Sequence, residues 1–589
     1  MKVALTRLDP HSYTAENQPH VVFLDWNASV DFAGRRILAE ATLTFAEKTT
    51  NPTTLDLDTR DLTIESVRDD SGANVRFSLH PADPILGARL EVALPTPTEK
   101  VYIRYQTSQT ASALQWLAPE QTSDGTHPFL FSQCQAIHAR SIVPLQDTPR
   151  RRIRYRADLR VPSELKGLMA ARQVDRRQEG AIAVERFEMP EAIPPYLFAL
   201  AVGRLESREL GPRSRLWAEP SMVEKGAYEF ADVDKMLQVG EDLFGSYEWE
   251  RFDLLVMPRS FPYGGMENPR LTFLTPTLIA GDRSLVSVLA HELAHSWTGN
   301  LVTNADAEHF WLNEGFTVYA ERRIVEAIYG DPRATLDAAL GFRDLKTAVD
   351  RFATRPELTK LRTHLQGIDP DESFSEIPYE KGFLLLRTLE QAVGRDAFTR
   401  FLQRYIAKFR FQSITTEQFL TFGEAELDGG LNRVGIASWL NEPGIPENAQ
   451  SPRSARLDLI LKNSESILPE SIGRGLTATE WQLYMESIRI PAPIVFLEEM
   501  DRIFNLSQSH NFEILVAWLT LGIKSEYPPA IERTQLLLGE VGRMKYLKPL
   551  YGALLKYGHA DIARAMFAKH SAGYHPIAQS VVQNLITTG

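Results

Sequence analysis

The sequence predicts a multidomain α+β protein: a β-sheet domain, a mixed α/β domain that carries the chemistry, and an α-helical domain at the end. Apolar and polar residues alternate in short runs over the first 200 residues. Longer segments with helical spacing begin after about residue 205. A proline-rich stretch at 441–455 then precedes segments that read as helix throughout.

The period-two alternation at 37–45, 90–94, 101–105 and 153–161, with shorter runs at 55–57 and 62–64, marks strands with one buried face. Turn-rich segments at 69–72 and 81–84 separate them. Residues 233–243, 285–300 and 311–329 carry apolar side chains at the three-to-four-residue interval of helices. Residues 441–455 read NEPGIPENAQSPRSA, and their prolines and small polar residues mark a linker. Beyond it, 512–523, 534–557 and 561–586 read as amphipathic or buried helices, which suggests stacked helix pairs. The expected division is a β domain at 1–204, a catalytic domain at 205–445, a linker at 446–455 and a helical domain at 456–589.

The net charge is -12, from 64 basic and 76 acidic residues, which argues against nucleic acid or an anionic membrane as a partner. Cys134 is the single cysteine, so no internal disulfide can form and a cytoplasmic protein is expected. The apolar run at 3–5 is too short for a signal-peptide core, and 514–523 is too short to cross a bilayer. A monomer is expected.

The chemistry centres on His291-Glu292-Leu293-Ala294-His295, in a stretch of helical character without proline. Positions i and i+4 share a helix face, so both imidazoles can meet one ion. Zinc favours nitrogen ligands, and in catalytic sites keeps one coordination position for water. Glu292 lies between the ligands and is placed to take a proton from the attacking water. Eighteen residues separate His295 from Glu314, which sits in a second helical segment and completes a two-His, one-Glu set. The bland alternative, two ordinary histidines and a solvated acid, is outweighed by that spacing. Such a site, with one Zn2+ per chain, acts on an amide or similar carbonyl.

Upstream, residues 261–269 read FPYGGMENP. Adjacent glycines admit a second backbone, and an extended substrate can pair with such an edge. Glu267 would then face the free α-amino group. A glycine turn with a surface acid stays open as the alternative at this point.

HELAH at 291–295, NEG at 313–315 and GGMEN at 264–268 together resemble the gluzincin zinc aminopeptidases, in the branch that includes leukotriene A4 hydrolase. SQCQAIH at 132–138, SWTGNLVTN at 296–304, PYEKG at 378–382 and GRMK at 542–545 extend the resemblance over essentially the whole chain. It implies a saddle-like β domain, a thermolysin-like catalytic domain and a C-terminal helical solenoid. It also implies roles for single residues. Tyr379 is the donor to the developing oxyanion. Gln135, Ala136 and Glu267 form the amino-end pocket, and Gln133 lines the first side-chain site. Gly264 and Gly265, between Tyr263 and Met266, anchor the substrate backbone. Arg543 and Lys545 grip a terminal carboxylate, which points to short peptides as substrates, tripeptides especially. Asp371 is the acid at the far end of the pocket, which in the family assists the opening of a lipid epoxide and favours a basic first residue.

Two positions depart from that enzyme's pattern: Phe374 replaces a pocket tyrosine, and Phe316 replaces a histidine after the ligand motif. Phe374 removes a hydroxyl, which weakens the expectation of epoxide opening as a second activity. A non-catalytic peptide-binding protein on the same fold would have lost a ligand or Glu292, and all four are present.

Overall fold

The computed structural model describes residues 7–51, 53–95, 97–463 and 466–588. The apolar run at 3–5 lies outside them. A seven-stranded sheet leads the N-terminal β domain, in the order Arg172–Glu179, Ile182–Ile193, Ile153–Pro162, Val21–Asp31, Arg36–Thr49, Thr98–Gln106, Thr63–Asp69. Its neighbours are antiparallel except the central pair, where Trp26 pairs in parallel with Ala157. The alternation at 37–45 works as expected: Ile37, Ala39, Ala41, Leu43 and Phe45 are buried on one face. Buried Trp26 keeps its indole N–H satisfied by donating to the Tyr105 hydroxyl at 2.8 Å.

In the catalytic domain a five-stranded sheet runs Glu206–Gly211, Ser214–Ala218, Leu254–Val256, Thr272–Leu274, Gly265–Met266. The glycine motif is thus the outer strand, antiparallel to its neighbour through Met266 and Phe273. Its free side is the edge at which an extended chain can add.

Three expected helices end earlier than their periodicity suggested. The segment 285–300 is helical only over Val286–Ala294, because Gly299 adopts φ +119 and its N–H turns back to the Val302 carbonyl at 2.7 Å. The segment 534–557 splits into Pro528–Leu537 and Met544–Lys556. The intervening turn docks on the catalytic domain: Gly542 N–H donates to the Arg259 carbonyl at 2.9 Å, and Met544 N–H to Pro262 at 2.8 Å. A Cβ at Gly542 would lie 2.7 Å from Ser260 Cα, so glycine is needed for that approach. The segment 561–586 likewise breaks at the turn Ser571–Gly573.

Residues 446–454 carry no helix or strand. One apolar core runs through the β and catalytic domains. The C-terminal helices have their own core, built on residues such as Trp518, Leu547 and Leu550, and it takes in Leu336 and Ala339 of the catalytic domain. Among the described residues no helix is long and apolar enough to cross a membrane.

The tightest crossing near the site is between Gly315, on the helix Trp311–Tyr329, and Gly382, at the start of the helix Gly382–Val393. A Cβ on Gly315 would meet Gly382 Cα at 2.8 Å and the Pro378 carbonyl at 3.0 Å. Gly315→Ala is therefore expected to cost about 1–3 kcal/mol through overpacking. Thermal unfolding would show it, and an unchanged midpoint would contradict the crossing.

Candidate active site

His291 lies in the last turn of the helix Val286–Ala294, and His295 caps it. One turn of helix apart, the two Nε2 atoms come within 3.2 Å of each other. Glu314, in the first turn of Trp311–Tyr329, brings Oε2 to 3.4 Å from His291 Nε2 and 3.5 Å from His295 Nε2. The outer nitrogens are already engaged. His291 Nδ1 donates to Glu321 Oε2 at 3.0 Å, and His295 Nδ1 to the Thr298 carbonyl at 3.2 Å, with Thr317 Oγ1 also at 3.2 Å. That leaves both Nε2 lone pairs aimed at one point. Glu314 Oε2 is buried with no hydrogen-bond partner. Two bare imidazole nitrogens beside an unpartnered carboxylate oxygen fit a zinc ion and little else.

Glu292 points the other way. A Cβ on Gly265 would meet its Oε1 at 2.3 Å, so the glycine lets the carboxylate lie against the outer strand. A Cβ on Gly264 would meet Arg543 Nη2 at 2.8 Å. The glycine pair therefore admits two charged side chains of this protein, besides leaving the strand edge open. Burial raises the Glu292 pKa to about 8. Burial, then the neighbouring Glu314 and Glu292 carboxylates, push Glu267 well above the ordinary range. Glu267, Glu292 and His295 form a second cluster of ligand-type atoms within 4.8 Å. Its two carboxylates lie off the point that both Nε2 atoms share, so the first set is the better metal cradle.

Gln135 Nε2 donates to Glu267 Oε1 at 3.4 Å, across a cis Gln135–Ala136 peptide, and Asn300 Nδ2 donates to the Glu267 carbonyl at 2.6 Å. Gln135, Ala136, Tyr263, Phe310, Asp371 and Phe374 line one cleft. Gln133 is fully buried and donates to Met266 Sδ at 3.0 Å, so it stands behind Met266.

Tyr379 sits in a π-helical turn, Ile377–Lys381. Its ring lies 6.1 Å from that of His291 at 20° and 5.8 Å from that of Phe374. Burial, then the Glu314 and Glu267 carboxylates, push its hydroxyl well above the usual range, so it stays protonated as a donor. The Gly315–Gly382 crossing is what lets this turn approach the Glu314 helix.

Arg543 is buried and caps the helix Met544–Lys556; its Nη1 donates to Tyr546 Oη at 2.8 Å and pairs with Glu513 at 3.1 Å. Lys545 Nζ meets the other Glu513 oxygen at 2.8 Å and is half-exposed. Asp371 accepts from His138 Nε2 at 2.9 Å. Phe316 is core, stacked on Tyr405 at 4.8 Å.

Sequence reasoning missed Glu321, Glu513 and His138. Glu321 was within reach: it lies two helical turns after Glu314, on the same face. Glu513 also had a signal, a buried acid in the otherwise apolar helix Phe512–Lys524.

Three family models match this chain. The peptidase family M1 domain matches residues 228–439, the peptidase M1 N-terminal domain 10–197, and the leukotriene A4 hydrolase C-terminal domain 476–586. Leukotriene A-4 hydrolase of Xenopus laevis is 39% identical over 98% of each chain. Leucine aminopeptidase 2 of Coccidioides immitis is 36% identical, covering 98% of this chain and 97% of its own. The structure of yeast LTA4 hydrolase in complex with bestatin superposes with a TM-score of 0.90 at 32% identity, covering 100% of this chain and 98% of the other.

Elemental analysis should find one zinc per chain. Glu314→Ala should lose it, Glu321→Gln should bind it about 10- to 100-fold more weakly, and Glu292→Gln should keep it. Full zinc affinity in Glu314→Ala would overturn the ligand set.

Proposed function

The chain belongs to peptidase family M1, a zinc metallopeptidase family, and on that premise we propose that it removes the first residue from short peptides, tripeptides above all. One observation carries this reading. Ligand-type atoms of Glu267, Glu292 and His295 lie within 4.8 Å of one another. Consecutive Cα atoms are about 3.8 Å apart. An ammonium held on Glu267 therefore leaves room for one residue before the carbonyl that Glu292 and the metal ligands face.

Zinc held by His291, His295 and Glu314 supplies Lewis acidity toward the carbonyl and the attacking water. Glu267 and Gln135 bind the substrate ammonium, and the outer strand at Gly264 and Gly265 aligns its backbone. Glu292 takes a proton from water and passes it to the departing amine. The Tyr379 hydroxyl donates to the oxygen as it gains charge. Arg543 and Lys545 stand against one carboxylate, Glu513, so one positive charge is left over for the terminal carboxylate of a short peptide. A monomeric, cytoplasmic enzyme is part of this reading, supported by the single buried cysteine.

A second reading, the opening of a lipid epoxide, draws support from Asp371 at a cleft walled by Tyr263, Phe310 and Phe374. Phe374 leaves that cleft one hydroxyl poorer than a tyrosine would.

The zinc-loaded protein should hydrolyse tripeptides faster than their C-terminal amides. Glu292→Gln should lower kcat about 100- to 10,000-fold with zinc retained. Equal turnover by that variant would overturn the proposal. For the second reading, incubation with leukotriene A4 should yield an enzymic dihydroxy acid by chromatography; spontaneous products alone would reject it.

A further inference from the structure

Behind the cleft wall lies a buried polar chain that the proposed reaction does not use. It begins at Arg60, passes through His138 and ends on Asp371. Arg60 Nη1 stands 3.1 Å from His138 Nδ1, and Ser112 Oγ stands 2.8 Å from the same atom. On the other side of the ring, Nε2 lies 2.9 Å from Asp371 Oδ2. A guanidinium only donates. Nδ1 must therefore accept, the ring proton sits on Nε2, and His138 donates to Asp371. Arg60 is anchored in turn by the Ile85 carbonyl. His138 is 5% exposed, whereas the Asp371 side chain keeps 24% of its surface open. The imidazole is thus a fixed donor delivered from behind, and the carboxylate retains a face toward the cleft.

The surrounding charges act in the same direction. Burial alone would push the Asp371 carboxyl up, but the hydrogen bond from His138 and the Arg60 guanidinium hold it below the ordinary carboxylate range. His575, from the C-terminal helices, stacks on Phe131 with ring centroids 5.6 Å apart. Burial lowers its own pKa to about 3, so it stays neutral there.

We propose that His138, backed by Arg60, is a positioning residue: it holds Asp371 as an oriented acceptor at the end of the first side-chain site, so the preference for a basic first residue that the resemblance implies depends on His138. This rests on the reading above that Asp371 faces the first side chain. Because His138 acts through a single donated hydrogen bond, the open face of the Asp371 carboxylate remains for the substrate. What His138 supplies is orientation, and loss of a hydrogen bond to a buried charged group is felt strongly.

The experiment compares kcat/KM for arginine and leucine anilides on the zinc-loaded full chain, because their ratio is independent of the active fraction. His138→Leu should lower the arginine-to-leucine ratio about tenfold. His138→Gln, whose amide N–H can replace Nε2, should keep most of it. Asp371→Asn is the control for the underlying reading. If Asp371→Asn leaves the ratio unchanged, Asp371 does not face the first side chain and both readings fall. If Asp371→Asn lowers the ratio and His138→Leu does not, the role of His138 alone is overturned. Equal losses in His138→Leu and His138→Gln would mean that the ring merely fills space, which also overturns it. Should His138→Leu fail to fold, Arg60→Met removes the donor that fixes the tautomer; it should lower the ratio, and an unchanged ratio would refute the proposal.

Discussion

The active centre is governed by an excess of negative charge in a space with little water. Glu267, Glu292, Glu314 and Glu321 crowd around two imidazoles, the first three of them buried. Two like charges 4 Å apart repel by about 4 kcal/mol at an effective dielectric of 20. Proton uptake is one relief: burial, with the neighbouring carboxylates, raises the pKa of Glu292 to about 8 and that of Glu267 well above the ordinary range. Two kinds of cation would relieve it: zinc at His291, His295 and Glu314 and, on the proposed function, a substrate ammonium at Glu267.

Glycine is the means. Gly265 makes room for Glu292, Gly264 for Arg543, Gly315 and Gly382 for each other, and Gly542 for the backbone at Ser260. In each case a single Cβ would stand closer than 3 Å to another group. The glycines of NEG, PYEKG and GRMK thus lie beside Glu314, Tyr379 and Arg543 in the chain, whereas those of GGMEN make room for side chains from other segments.

Much of this was legible in the sequence, for reasons of geometry. The interval between His291 and His295 is one helical turn, so local periodicity alone puts both on one face. The strands at 37–45 and 153–161 were legible because one face is buried and alternation follows. Helix ends were read less well: the pattern over 285–300 continues past Ala294, but Gly299 takes a left-handed conformation that periodicity does not register. Least legible were partners far apart in the chain. Arg60, His138 and Asp371 are joined only by the tertiary fold, and Glu513 meets Arg543 and Lys545 across a helix packing that no local pattern encodes.

The turn at Gly542 has a consequence for the life history of the chain. The groups gathered around the site are drawn from Gln135 to Arg543, whose guanidinium lies against Gly264. During synthesis from the N-terminus, Gln135 and the set His291, His295 and Glu314 leave the ribosome well before Arg543 and Lys545. Until the turn at Gly542 docks on Arg259 and Pro262, Arg543 has no place beside Gly264. On the proposed role of Arg543 and Lys545, selection by peptide length would be acquired last, in the order of the domains.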